Sequence, residues 1–299
     1  MYQVASITKP VTATALMMLV ERGQIVLGDS ASRYLPEFKG EDREKVRVID
    51  LLTHTSGLPD MVPRNTELRR AHAPLKEFTR ETFTTPLLFP PRTDFRYSSM
   101  GTLLAAEIVE RVSHLPLPEF EAKRIFGPLG MKNTILGLGK MRVDETVEME
   151  MPRETDPQDL KHWGPNTLYW RMMAHPWGGM HTTTSDLAVF LQAFLNGGSY
   201  AGTRILSRGA VTAMTSDQNG RHGTPWGIGW ALARSRDWNS FGDLVSARTF
   251  GHSGASGTVA WADPESGTIC VILTSRNFLI DGGRLLRRIS NAVAASVTE

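Results

Sequence analysis

Ser6-Ile7-Thr8-Lys9 places a hydroxyl and an amine three residues apart. If the run is helical from about Ser6, both groups lie on one face within reach of each other, a nucleophile beside a base. At a helix N-terminus the free backbone N–H groups and the positive end of the dipole favour developing negative charge and disfavour a second positive one. Both effects suit a neutral Lys9. Ser-x-x-Lys arises about once by chance in a chain of this length, so later signals must complete it. Tyr97-Ser98-Ser99 supplies a phenol that, held by a cation, could shuttle the Ser6 proton to a leaving group. Gly251-His252-Ser253-Gly254-Ala255 sets a polar residue and small ones on a strand edge where a substrate backbone or carboxylate could lie.

Gly251-x-Ser253-x-Ala255 nearly matches the Gly-x-Ser-x-Gly nucleophile elbow, which needs a helix straight after the serine and a histidine later in the chain. Here Gly257-Thr258-Val259-Ala260-Trp261 reads as a strand and His252 is the last histidine, so that reading fails twice. His54, inside Thr53-His54-Thr55-Ser56-Gly57-Leu58-Pro59, is expected to tie this loop down through backbone hydrogen bonds rather than to act on a substrate.

Several elements must hold these residues. Ala15, Leu16, Met18, Leu19 and Val20 give the first helix a broad apolar stripe as far as Arg22, with Gly23 closing it and Pro10 in its first turn. A short helix is expected over 46–52. Residues 64–82 read as a surface helical segment broken at Pro74, its Arg/Glu cluster a solvated face. A proline-stiffened loop over 87–98 leads into a helix from the serines onward, leaving Tyr97 at its mouth. The span 116–166 reads as one helix over 118–126 followed by irregular excursions, with Met141, Met149 and Met151 as flexible apolar filler. A glycine turn at 177–179 leads to a Thr/Ser-capped helix that Asn196-Gly197-Gly198 stops. Beyond residue 200 the pattern becomes strands, at 226–232, 249–252, 257–262 and 269–273, and an amphipathic helix over 282–296. This predicts an α/β chain of the α+β type: a mostly helical domain over 1–200, and over 201–299 an antiparallel sheet with a covering helix.

Of 299 residues, 41% are hydrophobic and 21% charged, with a formal charge of +2 and no basic block longer than Arg69-Arg70 or Arg287-Arg288. A nucleic-acid partner is unsupported by that balance. The single cysteine, Cys270, lies in an apolar run and reads as a core residue. No stretch approaches eighteen apolar residues and no export signal precedes the first helix, so the chain as given reads as cytoplasmic, or periplasmic if an upstream segment is missing.

In order and spacing, Ser6-x-x-Lys9, Tyr97-Ser98-Ser99 and His252-Ser253-Gly254 resemble the serine β-lactamase and penicillin-binding-protein superfamily, and within it the class C β-lactamase-like branch with the family VIII carboxylesterases. Leu51-Leu52-Thr53-His54-Thr55-Ser56-Gly57-Leu58, Gly178-Gly179 before Ser185-Asp186, and Trp226-Gly227-Ile228-Gly229-Trp230 extend the resemblance over essentially the whole chain. It implies Ser6 as the acylated nucleophile and Lys9 as the group that takes its proton or keeps Tyr97 ionised. Tyr97 would be general base and then acid, and the backbone N–H groups of Ser6 and Ala255 the oxyanion hole. His252 stands where the family has a lysine, and Ser99 where the lactamases have an asparagine; Ser99, Ser253 and Gly254 would contact substrate. Neither cofactor nor metal is implied. These two replacements weaken recognition of an anionic β-lactam and move small esters up, so a serine carboxylesterase is the expected activity. A β-lactamase or D,D-peptidase is the enzymatic alternative, and a non-catalytic or shortened relative the third. The resemblance also implies further N-terminal strands, whose absence would leave an exposed sheet edge able to pair with another chain.

Overall fold

The computed structural model describes residues 1–220, 223–235 and 238–297. Helices run α1 Thr8–Glu21, α2 Val48–Leu52, α3 Asn65–Arg70, α4 Leu75–Thr82, α5 Ser99–Ser113, α6 Leu117–Glu121, α7 Gly127–Leu129, α8 Pro157–Trp163, α9 Leu168–Met172, α10 Thr184–Leu195, α11 Arg208–Met214 and α12 Arg284–Ala295. Strands run β1 Tyr2–Gln3, β2 Ile135–Leu136, β3 Met180–Thr182, β4 Ser199–Tyr200, β5 Thr203–Arg204, β6 Ala231–Leu232, β7 Phe250–Gly254, β8 Thr258–Asp263 and β9 Thr268–Leu273.

Helix α1 is the axis of the molecule. Every residue from Thr8 to Leu19 is buried, so the expected stripe is an apolar helix sealed on all sides, as a core helix must be. Its polar groups are satisfied internally: Thr14 Oγ1 donates to the Pro10 carbonyl at 2.8 Å and Thr12 Oγ1 to the Pro176 carbonyl at 2.8 Å. Gly23, at φ +69°, takes the left-handed turn that closes it. Helices α5 and α6 pack along its sides.

Strands β6-β7-β8-β9 form an antiparallel sheet in that order, with His252 opposite Ala260 and Gly254 opposite Thr258. Alternation along β8 separates two faces. Ala260 and Ala262 point into the large core with Phe190 and Phe194 of α10. Val259 and Trp261 point the other way, to Leu286 of α12, where Trp261 Nε1 donates to Ser290 Oγ at 3.1 Å. Strand β9 pairs only with β8 among the described residues.

The structure departs from expectation in four places. Helix α10 lies before residue 200 yet covers the sheet, because Phe190 and Phe194 need a second apolar surface, which β8 and β9 supply together with Trp230 and Phe250. Of the run 226–232 only Ala231–Leu232 is strand. Gly227 closes against the Met214 carbonyl and Gly229, at φ +78°, against Ala13 of α1, and a side chain would fit at neither. The 116–166 span also holds α8, started by Asp156 accepting from Gln158 N–H at 2.8 Å with Pro157 in its first turn. A small sheet ordered β1-β3-β2 was not legible, since strands of two or three residues show no periodicity.

Glu121 of α6 is fully buried against α1. Thr12 Oγ1 stands 3.4 Å from its Oε1 and has only one proton, which the shorter contact to Pro176 claims. Burial raises the Glu121 carboxyl to about 8, the Thr12 contact opposing weakly. Between about 4.5 and 8 the folded chain therefore holds one more proton here than the unfolded chain, so stability falls as pH rises through that window. Glu121→Gln should lose less Tm than wild type between pH 5 and pH 8.5; equal losses in thermal melts would remove Glu121 from the pH dependence.

Candidate active site

Ser6 sits in a 3-10 turn, Ala5–Ile7, between β1 and α1. The turn hangs from both sheets. Val4 N–H donates to the Met180 carbonyl on β3 at 3.0 Å, and the Val4 carbonyl accepts from Thr258 Oγ1 on β8 at 3.1 Å. Ala5 takes φ +45°, a conformation that few non-glycine residues adopt, and Thr8 Oγ1 braces its carbonyl at 2.7 Å. A side chain at Gly254 would strike the Val4 carbonyl, so glycine is what lets the end of β7 reach the nucleophile turn.

Lys9 Nζ lies 3.1 Å from Ser6 Oγ and 3.1 Å from the Trp177 carbonyl. A neutral amine has two N–H groups and one lone pair, and this pair of contacts suits it: one N–H to the carbonyl, the lone pair to the serine hydroxyl. Burial lowers Lys9 to about 7, the Asp60 carboxylate pulling back less strongly. The Trp177 carbonyl is aimed by a tight turn in which Gly178 and Gly179 N–H both donate to the His175 carbonyl.

Tyr97 precedes Ser98, whose side chain caps α5 by accepting from Gly101 N–H at 3.0 Å. His54, at φ +62°, ties this segment down: its Nδ1 accepts from Ser98 N–H at 3.1 Å and its carbonyl from Arg96 N–H at 2.8 Å. Farther back, Asp50 Oδ2 accepts from Arg92 at 2.8 Å and Asp60 Oδ1 from Ser99 N–H at 2.8 Å. The Tyr97 ring stacks on Trp238 at 4.4 Å and carries Lys9 Nζ 4.6 Å from its centroid. Its hydroxyl forms no well-aligned hydrogen bond among the described residues. Burial pushes the phenol well above its ordinary range; neighbouring Ser6 opposes this and Asp60 adds to it. Tyr97 therefore holds its proton at rest.

On β7, His252 is buried and its Nδ1 lies 2.7 Å from the Ser253 carbonyl, so Nδ1 carries the proton and Nε2 is a bare lone pair with no partner among the described residues. Burial, then Lys9, lowers His252 to about 3. The position is thus neutral and an acceptor, the reverse of a lysine. The N–H groups of Ser6 and Ala255 make no hydrogen bond among the described residues and are open to an oxyanion.

One cavity of about 770 Å³ gathers Ser6, Tyr97, Ser99, His252, Ser253, Gly254 and Ala255 on its wall, with Lys9 directly behind Ser6. Sequence reasoning missed other parts of the wall. Met149 and Met151, expected as filler, line it and receive the Asn277 amide at 3.4 and 3.5 Å. Asp60 faces it, unsignalled because a lone aspartate after a proline carries no pattern. Arg69, expected on a solvated face, instead packs its guanidinium 4.0 Å from the Trp170 ring at the cavity edge. Among the described residues no helix is long and apolar enough to cross a membrane.

Comparison with known proteins agrees with this geometry. A Salmonella gallinarum protein with the provisional name D-alanyl-D-alanine carboxypeptidase is 30% identical over 302 residues, spanning 92% of this chain and 69% of the relative. The crystal structure of a penicillin-binding-protein homologue from Caulobacter crescentus superposes with a TM-score of 0.78 at 24% identity, over 92% of this chain and 78% of that one. A family VIII carboxylesterase structure gives 0.74 at 20% identity, over 97% and 82%. The Beta-lactamase family model matches residues 1–294, and the chain, with its β-lactamase/transpeptidase-like fold, belongs to that family of serine hydrolases.

Proposed function

We propose that the protein hydrolyses small acyl esters through an acyl-enzyme on Ser6. The observation that carries this reading is the 3.1 Å contact between Ser6 Oγ and a Lys9 amine lowered to about 7. Ser6 Oγ attacks the ester carbonyl carbon as its proton passes to Lys9 Nζ; the 3.1 Å contact and the protonated state of Tyr97 support the lysine as first base. The oxyanion forms against the N–H groups of Ser6 and Ala255. As the acyl–oxygen bond breaks, Tyr97 gives its proton to the leaving alkoxide and is reprotonated from Lys9. Water then repeats the sequence on the acyl-enzyme, releasing the acid and restoring Ser6. Ser99, Ser253 and Gly254 border the acyl group, and His252 Nε2 accepts from a substrate donor.

Ester over β-lactam follows from what these groups cannot supply. Both reactions use Ser6, Lys9, Tyr97 and the oxyanion hole, so discrimination rests on whatever holds the remote amide and carboxylate. A neutral acceptor at 252 and a short serine at 99 remove part of that hold. One lost charged hydrogen bond is worth roughly 1.5–3 kcal/mol, or about one to two decades in rate. The D,D-peptidase reading draws support from the name of the Salmonella relative, and turnover of a peptide ending in D-alanyl-D-alanine against that of p-nitrophenyl butyrate separates the two.

Ser6→Ala should abolish labelling by a fluorophosphonate, located by mass spectrometry, whereas Ser253→Ala should keep much of it; label on Ser253 sinks the assignment. Because the buried histidines 54, 175, 181 and 252 are all pushed below their ordinary range, the acid limb of kcat/KM belongs to Lys9. The rate should rise with pH, be half-maximal near 7 and level off above it as the amine loses its proton; a flat profile between pH 5.5 and 8.5 contradicts a lysine base. p-Nitrophenyl butyrate should exceed nitrocefin in kcat/KM, and a tenfold advantage for nitrocefin would transfer the assignment to a β-lactamase.

A further inference from the structure

We propose that Arg69 is an anion-binding subsite of the Ser6 cavity, selecting acyl compounds that carry a carboxylate; this rests on the acyl-enzyme reading above. The arginines around it differ sharply. Arg64 is ion-paired with Glu67 and Glu81, and Arg70 with Asp159, all at the surface. Arg69 has no ion pair among the described residues. Its one hydrogen bond runs from Nη2 to the Met61 sulfur at 3.9 Å, a weak acceptor, and its Nε is buried without any partner.

A guanidinium in that state keeps spare donors, one of them, Nε, taken out of water, which is costly unless a ligand supplies the acceptor. Trp170 at 4.0 Å and Trp163 at 5.5 Å hold its plane from the side, which fixes the direction of the fork without using its N–H groups. Burial lowers Arg69 only to about 10, so it stays cationic at neutral pH.

Its place relative to the chemistry is the wall of the Ser6 cavity, which it lines together with Asp60 and Tyr97. Asp60 shares the cavity and partly offsets the arginine, but its Oδ1 is occupied by Ser99 N–H and it forms no ion pair among the described residues. The free fork and the nucleophile thus open onto one cavity of about 770 Å³. A substrate with its reacting carbonyl at Ser6 and a carboxylate turned to Arg69 would use both, and the half-ester of a dicarboxylic acid is the simplest compound with those two groups. The cation missing at position 252 is supplied from the opposite, helical wall.

The test compares p-nitrophenyl hemiglutarate with p-nitrophenyl butyrate, esters of similar chain length that differ in the terminal carboxylate and release the same product. In Arg69→Met, which keeps an apolar chain against the two tryptophans, the hemiglutarate-to-butyrate ratio of kcat/KM should fall at least fivefold, through KM. A smaller fall makes Arg69 a packing residue and overturns the subsite. If Arg69→Met does not fold, Arg69→Lys carries the same comparison and the same threshold, since an ammonium lacks the bidentate fork. If neither ester is turned over, the acyl-enzyme reading has failed, and calorimetry with glutarate decides the subsite alone. Binding to wild type at least fivefold tighter than to the variant supports it; equal or undetectable binding overturns it.

Discussion

The site depends on one desolvated amine. Lys9, on α1, is enclosed by the Trp177 turn, with no carboxylate paired to it among the described residues, and the loss of water there brings its proton affinity down to the neutral range. An exposed lysine three residues from a serine would be a spectator cation. The same residue inside a sealed helix has a lone pair to offer at neutral pH. Keeping water from Lys9 requires α1 to be covered on every side, which is why so much of the molecule, from α5 and α6 to the turn at Gly229, closes on this one helix.

The second requirement is that the nucleophile turn be held from two directions. Val4 bonds to β3 through its N–H and to β8 through its carbonyl, so Ser6 is fixed relative to both the small sheet and the main one. Tyr97 comes from a third place, a loop tied by His54, Asp50 and Asp60. A charge map of the cavity follows. The sheet side offers His252 as a neutral acceptor, and the helical side offers the Arg69 cation beside Asp60.

Much of this was legible in the sequence, for identifiable reasons. Ser6 and Lys9 are neighbours on a helix, so local geometry alone pairs them. Ser98 caps α5 through its own side chain, which put Tyr97 at a helix mouth before any fold was known. Strands β8 and β9 carry β-branched and aromatic runs long enough to read, and His54 proved to be the loop tie expected of it. What was not legible has a common cause. Two-residue strands, the Gly227–Gly229 turn and the allegiance of α10 are set by contacts with residues far along the chain, and Arg69 looked like any arginine in a charged helix.

The sequence by itself determined which residues could do chemistry and which were near each other along the backbone, because helix spacing, capping and strand alternation act within a few residues. Only the tertiary structure decided the state of those residues. Whether Lys9 is charged, which nitrogen of His252 holds the proton, and whether Arg69 meets water or a cavity are questions of desolvation and of partners from distant segments. Those depend on which surfaces are brought together, and no local pattern encodes them.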